Sequence, residues 1–259
     1  MVSKGKRSVN NGFVNHDAEI VGGAGLGPPG LDPLPTPLRD PKPLLDRVIH
    51  EWGGHEDLWL FGYGSLIWKP EFDFVERRPA RVHGWHRALK MWSRVNRGSV
   101  QNPGLVFGLL TGGSCQGLVF RVPAVHGLET LGRLWLREMP TGVYDPRWLT
   151  CITPGGPVRA LAFTLSRKSP NFTGNLPEAR YREIFASAVG RYGSSLDYAR
   201  QTLAELKRHH IHDAALARLL RLAEITASAD AAAAAPAATL PLAGPRQGTP
   251  PAPPATQGN

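Results

Sequence analysis

A chain of 259 residues whose Gly and Pro bunch at its two ends is read as one domain with tails. No apolar run reaches the roughly 18 residues that span a bilayer, so a soluble protein with no membrane partner is expected. Thirty basic against 21 acidic residues, a formal charge of +9, favour an anionic partner. The cations are scattered along the middle of the chain, which argues against nucleic acid and leaves a small anionic substrate open.

The N-terminus carries Lys4, Lys6 and Arg7 with no apolar stretch behind them, which does not fit a secretory signal and leaves a transit peptide open. A cytoplasmic location is expected. Cys115 and Cys151 are too few for a disulfide framework and read as small buried apolar residues in strands. Gly22 to Pro43 is too rich in Gly and Pro to bury an apolar face. Its glycines at 23, 25 and 27 lack the preceding strand that a dinucleotide loop requires. The expected organisation is therefore a mostly disordered arm over 1–56, a domain over 57–225 and a disordered Ala- and Pro-rich tail over 226–259.

Leu58-Trp59-Leu60-Phe61 reads as a buried strand ending at Gly62. Further strands are expected at 81–94, 104–110, 116–122, 148–153 and 158–165, joined by Gly- or Pro-bearing turns. Helices are expected at 126–139, 177–191, 194–209 and 213–225. Ser194 followed by Asp197 is a capping pattern, and Gly193 reads as the stop of the helix before it. Strands with one interposed helix, then a run of helices, make an α+β domain with a small sheet or barrel.

At 100° per residue, Leu128, Leu131, Leu134 and Trp135 share one arc of the helix over 126–139, with Glu129, Arg133 and Arg137 opposite. Glu138 falls in the middle of the apolar arc. A carboxylate there loses hydration and meets the negative end of the helix dipole, so its pKa should rise toward the range useful for proton exchange. A second reading stays open, in which the helix ends early and Glu138 pairs with Arg137 or Arg87 at the surface. Gly62 and Gly64 flank Tyr63, so the backbone there can take positive φ and turn its N–H groups toward an anion. Ser65 lacks the glycine two residues on that a nucleophile elbow needs, and a donor role is expected. His209, His210 and His212 read as a solvated helix end, not a metal site. Trp85 and Trp92 read as core or pocket wall. Arg94, Asn96 and Arg97 are not assigned a role.

Several motifs in order carry a resemblance: Trp59-Leu60-Phe61-Gly62-Tyr63-Gly64-Ser65-Leu66-Ile67-Trp68, Pro103-Gly104-Leu105-Val106, Gly117-Leu118-Val119-Phe120-Arg121-Val122-Pro123, Arg137-Glu138-Met139, Gly142-Val143-Tyr144, Pro170-Asn171-Phe172-Thr173-Gly174 and Gly193-Ser194-Ser195-Leu196-Asp197-Tyr198. Over about 57–225 the chain resembles the ChaC-type γ-glutamylcyclotransferases. The resemblance implies a small barrel-like α+β fold and cleavage of glutathione to 5-oxoproline and cysteinylglycine. It also implies a substrate loop formed by Leu60, Phe61, Gly62, Tyr63, Gly64 and Ser65, with Glu138 as the catalytic acid/base. Tyr144 is expected to hydrogen-bond the substrate near Glu138. In this reaction the α-amine of the substrate attacks its own γ-carbonyl, so no protein nucleophile, metal or cofactor is required. Other γ-glutamyl amino acids or γ-glutamylamines are an alternative substrate class, and an inactive basic binding module is an alternative of another kind. Oligomeric state is left open.

Overall fold

The computed structural model describes residues 38–234 of the chain, with side chains described to Glu224. Within the segment expected to be an arm, Lys42–Trp52 forms a helix, α1, which begins beside Pro43 and stops at Gly53 in the left-handed region, whose N–H donates to Ile49 O at 3.0 Å. Arg39 ties the same segment to the domain by donating Nε to Gly142 O at 2.8 Å. Residues 1–37 lie outside the described residues. The helical signal was present in the spacing of Leu44, Leu45, Val48, Ile49 and Trp52, but the prolines just before it dominate the local composition.

The barrel strands are β1 (Leu58–Gly62), β2 (Glu76–Ser93), β3 (Gly104–Val122), β4 (Asp145–Thr153) and β5 (Gly156–Thr164). They close in the order β1-β3-β2-β4-β5, and the circle is completed where Leu60 of β1 lies parallel to Leu161 of β5. The segments expected as separate strands at 104–110 and 116–122 are one 19-residue strand. Gly112 and Gly113 have positive φ, as does Gly84 opposite them, and the β2–β3 register shifts between His83 and Trp85. Glycines that look like a hairpin turn in sequence therefore make a bulge that bends a long ribbon.

Helix α2 (Ala124–Glu138) lies between β3 and β4, and it starts two residues earlier than expected. Its Leu131, Leu134 and Trp135 are buried, whereas Leu128, expected on the same arc, is 58 % exposed. The inward face instead includes Gly127, where a Cβ would meet the Trp52 ring at 2.1 Å. The remaining elements are α3 (Glu178–Ser187), a two-residue hairpin β6 (Val189–Gly190) and β7 (Gly193–Ser194), α4 (Ser195–Arg208) and α5 (Ala214–Ala234). Gly193, expected to stop a helix, has φ +97° and serves the hairpin instead, because α3 ends six residues earlier. The Ser194 cap forms as expected: its Oγ accepts from Asp197 N at 2.9 Å and donates to Asp197 Oδ2 at 2.8 Å. Residues 226–234 of the expected tail continue α5, and 235–259 lie outside the described residues.

Candidate active site

Strand β1 delivers Leu60, Phe61, Gly62 and Tyr63 to the barrel rim, and a 3-10 turn over Ser65–Ile67 follows at once. Leu60 and Phe61 are fully buried, so their side chains belong to the core and fix where the loop begins. Neither Gly62 nor Gly64 takes positive φ, contrary to the expectation for the loop. Close packing explains both glycines instead. A Cβ on Gly62 would meet Phe120 Cε2 at 3.1 Å and Leu66 Cβ at 3.2 Å, and one on Gly64 would meet the Tyr198 hydroxyl at 3.0 Å. The N–H groups of Ser65 and Leu66 open the 3-10 turn and so have no partner within it.

Glu138 sits at the end of α2 with its side chain 16 % exposed. Both readings of this residue are partly right. Its Oε1 lies 3.0 Å from Arg137 Nε, yet the pair is not at the surface. Burial pushes the Glu138 carboxyl above the usual range, Arg137 pulls it back, and the charge of Glu71 adds to the rise. Arg137, expected to face solvent, is turned across the loop. It donates Nη2 to Ser65 Oγ at 3.1 Å and Nη1 to Pro70 O at 3.1 Å, and it pairs with Glu71 Oε2 at 2.9 Å. The carboxylate and the loop are thus held by one guanidinium, and Ser65 is an acceptor in that strap.

Three phenols complete the site. Tyr63 donates to Phe163 O at 2.6 Å and Tyr144 donates to Phe107 O at 3.1 Å. Tyr198 Oη accepts from Phe107 N at 3.4 Å. Burial raises all three pKa values, that of Tyr198 to about 12, and the negative charge of Glu138 raises each further. The phenols therefore stay protonated at neutral pH around a single carboxylate. Tyr144 feels the charge of Glu138, but its proton is committed to Phe107 O, so what it offers a ligand is a lone pair.

Tyr198 is the residue that sequence reasoning missed. It stands on α4, whose Thr202 Oγ1 also accepts from Trp68 Nε1 at 3.1 Å, so α4 packs directly on the 3-10 turn. Arg87, expected only as a surface partner of Glu138, is buried. It pairs with Asp213, not with Glu138, through Nη2 at 2.6 Å and Nε at 2.9 Å, and its Nη1 donates to Tyr63 O at 3.0 Å and Gln116 O at 3.1 Å. Asp213 in turn accepts from Leu216 N at 2.9 Å at the start of α5. The loop carbonyl is fixed by an ion pair that reaches the last helix.

Other candidate residues fall elsewhere. His209 and His210 lie in the turn after α4, with His209 Nε2 3.3 Å from Glu205. No group of three or more His, Cys, Asp or Glu is placed to hold a metal ion among the described residues. Trp85 lines an outer groove with Arg39, Arg47, Arg147 and Trp148 that shares no residue with the Glu138 site. Cys115 and Cys151 are buried free thiols in β3 and β4, as expected. No helix among the described residues is long and apolar enough to cross a membrane.

Fold and site define an α+β barrel protein in which a glycine loop and a buried carboxylate meet at the barrel rim. Residues 58–226 match the sequence profile of the family described as ChaC-like protein, and the chain belongs to that family. It is 32 % identical over 164 residues to the glutathione-specific γ-glutamylcyclotransferase of Escherichia coli (strain K12), covering 63 % of this chain and 71 % of that protein. It is equally 32 % identical to glutathione-specific γ-glutamylcyclotransferase 1 of Homo sapiens, over 169 residues and 76 % of that protein. Among solved structures, a γ-glutamyl cyclotransferase specific to glutathione from yeast superposes with a TM-score of 0.61 at 20 % identity, covering 66 % of this chain and 97 % of that one. At that identity the likeness speaks for the fold.

Proposed function

We propose that this protein degrades glutathione by intramolecular cyclisation, releasing 5-oxoproline and cysteinylglycine, with Glu138 as the proton carrier. The observation that carries the reading is the placement of Glu138: largely buried, its pKa raised, tied through Arg137 to the glycine loop, and with its charge felt by three protonated phenols. Family membership and the names of the relatives supply the substrate class.

Glu138 takes a proton from the α-ammonium of the substrate. The freed amine attacks the γ-carbonyl carbon, forming the ring C–N bond and placing negative charge on the carbonyl oxygen. That charge is met by N–H groups of the Gly62 to Leu66 loop and by the Tyr198 hydroxyl, whose proton is not given to Phe107. Collapse breaks the bond to the cysteine nitrogen as protonated Glu138 returns its proton to the leaving amine, and the ring nitrogen, which still carries two protons, gives up its second through Glu138, so that the released amine leaves as an ammonium. Water is neither consumed nor released. The lone pair of Tyr144 orients the α-ammonium before transfer. Positioned acid/base help of this kind contributes about 10²- to 10⁴-fold in rate.

Two buried free thiols suit a reducing compartment, and the cytoplasm is the proposed location. The deciding experiment is incubation with reduced glutathione and detection of 5-oxoproline, using the wild-type chain and Glu138→Gln. Release by the first and loss of at least about 10²-fold in the second is the expected outcome. Release from γ-glutamylalanine but not glutathione would reassign the substrate within the same chemistry. Undiminished turnover by the Gln variant would remove Glu138 from the mechanism.

A further inference from the structure

Arg97, in the loop between β2 and β3, is only 8 % exposed, yet no carboxylate lies within ion-pair distance of it among the described residues. A guanidinium buried to this extent is costly unless an anion meets it. Its position is built. The Arg97 N–H donates to Ser93 Oγ at 3.0 Å, and its carbonyl accepts from Ser195 Oγ at 3.2 Å. Gly104 and Gly190 press against its backbone so closely that a Cβ on either would lie 2.0 Å from Arg97 O or 2.6 Å from Arg97 N. The guanidinium carbon stands 5.0 Å from the centre of the Tyr198 ring, and Nη1 donates to Tyr192 O. Of the five N–H donors in that fork, one is thereby used on a neutral carbonyl.

The Tyr198 ring links Arg97 to the site. Its hydroxyl abuts Gly64 and feels the charges of Glu138, Arg97 and Arg137 together. Two other cations lie near, but both are answered: Lys69 pairs with Glu71 at 2.9 Å, and Arg137 with Glu71 and Glu138. Arg97 feels the charge of Asp197, but among the described residues it makes no ion pair with it or with any other carboxylate. Beyond the bond that breaks, the substrate of the proposed reaction continues for two residues, about 7 Å when extended, to a terminal carboxylate. Gly64 and Arg97 both abut the Tyr198 phenol, Gly64 at its hydroxyl and Arg97 at 5.0 Å from its ring centre.

We propose that Arg97 is the residue that recognises the C-terminal carboxylate of a γ-glutamyl peptide and so selects a peptide acid over a γ-glutamylamine. The inference rests on the cyclotransferase reading above and adds its specificity element. A planar fork can meet a carboxylate with two parallel N–H bonds, a geometry that lysine does not reproduce.

The test compares reduced glutathione with its glycine amide, which lacks only the terminal charge, on the wild-type chain, Arg97→Gln and Arg97→Lys. The wild type should show a KM for the amide about 10- to 100-fold above that for glutathione, the range for losing a charged hydrogen bond. Arg97→Gln should raise the KM for glutathione by the same factor, leave that for the amide unchanged and alter kcat little on either. Arg97→Lys should fall between. If Arg97→Gln does not fold, the wild-type preference and the Lys variant decide. Equal KM values for the two substrates on the wild type, or equal losses on both in the variants, would overturn the inference and leave the cyclotransferase reading standing. Failure of the wild type to turn over either substrate would overturn that reading, and this inference with it.

Discussion

Removing Arg87 tests whether the loop is held by the ion pair that lies beneath it. Arg87 is 4 % exposed and Asp213 14 %, and the two are joined by two short bonds, with Arg87 Nη1 also serving the carbonyls of Tyr63 and Gln116. In Arg87→Met the apolar stem is replaced, but Asp213 loses its partner and two carbonyls lose a donor. Breaking a buried pair from one side costs on the order of 3–5 kcal/mol, a large share of the roughly 5–15 kcal/mol that holds a domain together. In urea this should lower the unfolding midpoint by about 1–2 M, followed by far-UV circular dichroism. As a control, Arg218→Ala, whose pair with Glu178 is largely exposed on both sides, should leave the midpoint where it is. Because Tyr63 O is one of the orphaned carbonyls, 5-oxoproline release by the folded fraction should fall as well. A midpoint for Arg87→Met within a few tenths of a molar of wild type would refute the reasoning, since the pair would then contribute no more than a surface one.

The raised pKa of Glu138 predicts a pH dependence of both rate and stability. The folded carboxyl titrates above its unfolded value, so its contribution to stability is fully present below the unfolded pKa and is lost as pH rises through the folded pKa. Thermal melting of Glu138→Gln relative to wild type should therefore shift upward with rising pH across that window, while wild-type kcat/KM climbs over the same range as the base is freed. Gly64→Ala should cut turnover with little loss of fold, since its Cβ meets the Tyr198 hydroxyl at 3.0 Å. Adding Tyr198→Phe should relieve the contact, so a double variant that melts no better than Gly64→Ala would count against this packing account. The Cys151 thiol, pushed up to about 12 by burial, should not react with an aromatic disulfide reagent until the protein is unfolded. Rapid labelling of Cys151 in the native protein would contradict its placement.

Local pattern made much of the fold legible. The strands at 58–62 and 156–164, the Ser194 cap and the core side of α2 follow from residue type and periodicity, which act over a few neighbours. Errors arose where one local signal has two structural uses. Gly112-Gly113 looks like a turn and is a bulge within one strand, because its partner strand bends with it at Gly84. Pro41 and Pro43 look like the end of an arm and instead open α1, whose start is secured by Trp135 Nε1 donating to Pro41 O at 2.9 Å across 94 residues.

The candidate site divides in the same way. From the sequence by itself come Glu138 on an apolar helix face, the glycine loop after a buried strand, and the ordered motifs that point to the family. Spacing places Leu131, Leu134 and Trp135 of α2 inward, whereas the outward Leu128 and the inward-turned Arg137 depart from it. Only the tertiary structure decides that Arg137 crosses from Glu138 to Ser65, that Arg87 answers Asp213, and that Tyr198 closes against Gly64 with Arg97 behind it. These contacts join residues tens to more than a hundred positions apart. They exist because barrel closure and the docking of α4 bring the groups together, and periodicity carries no record of which distant partner a buried charge will meet.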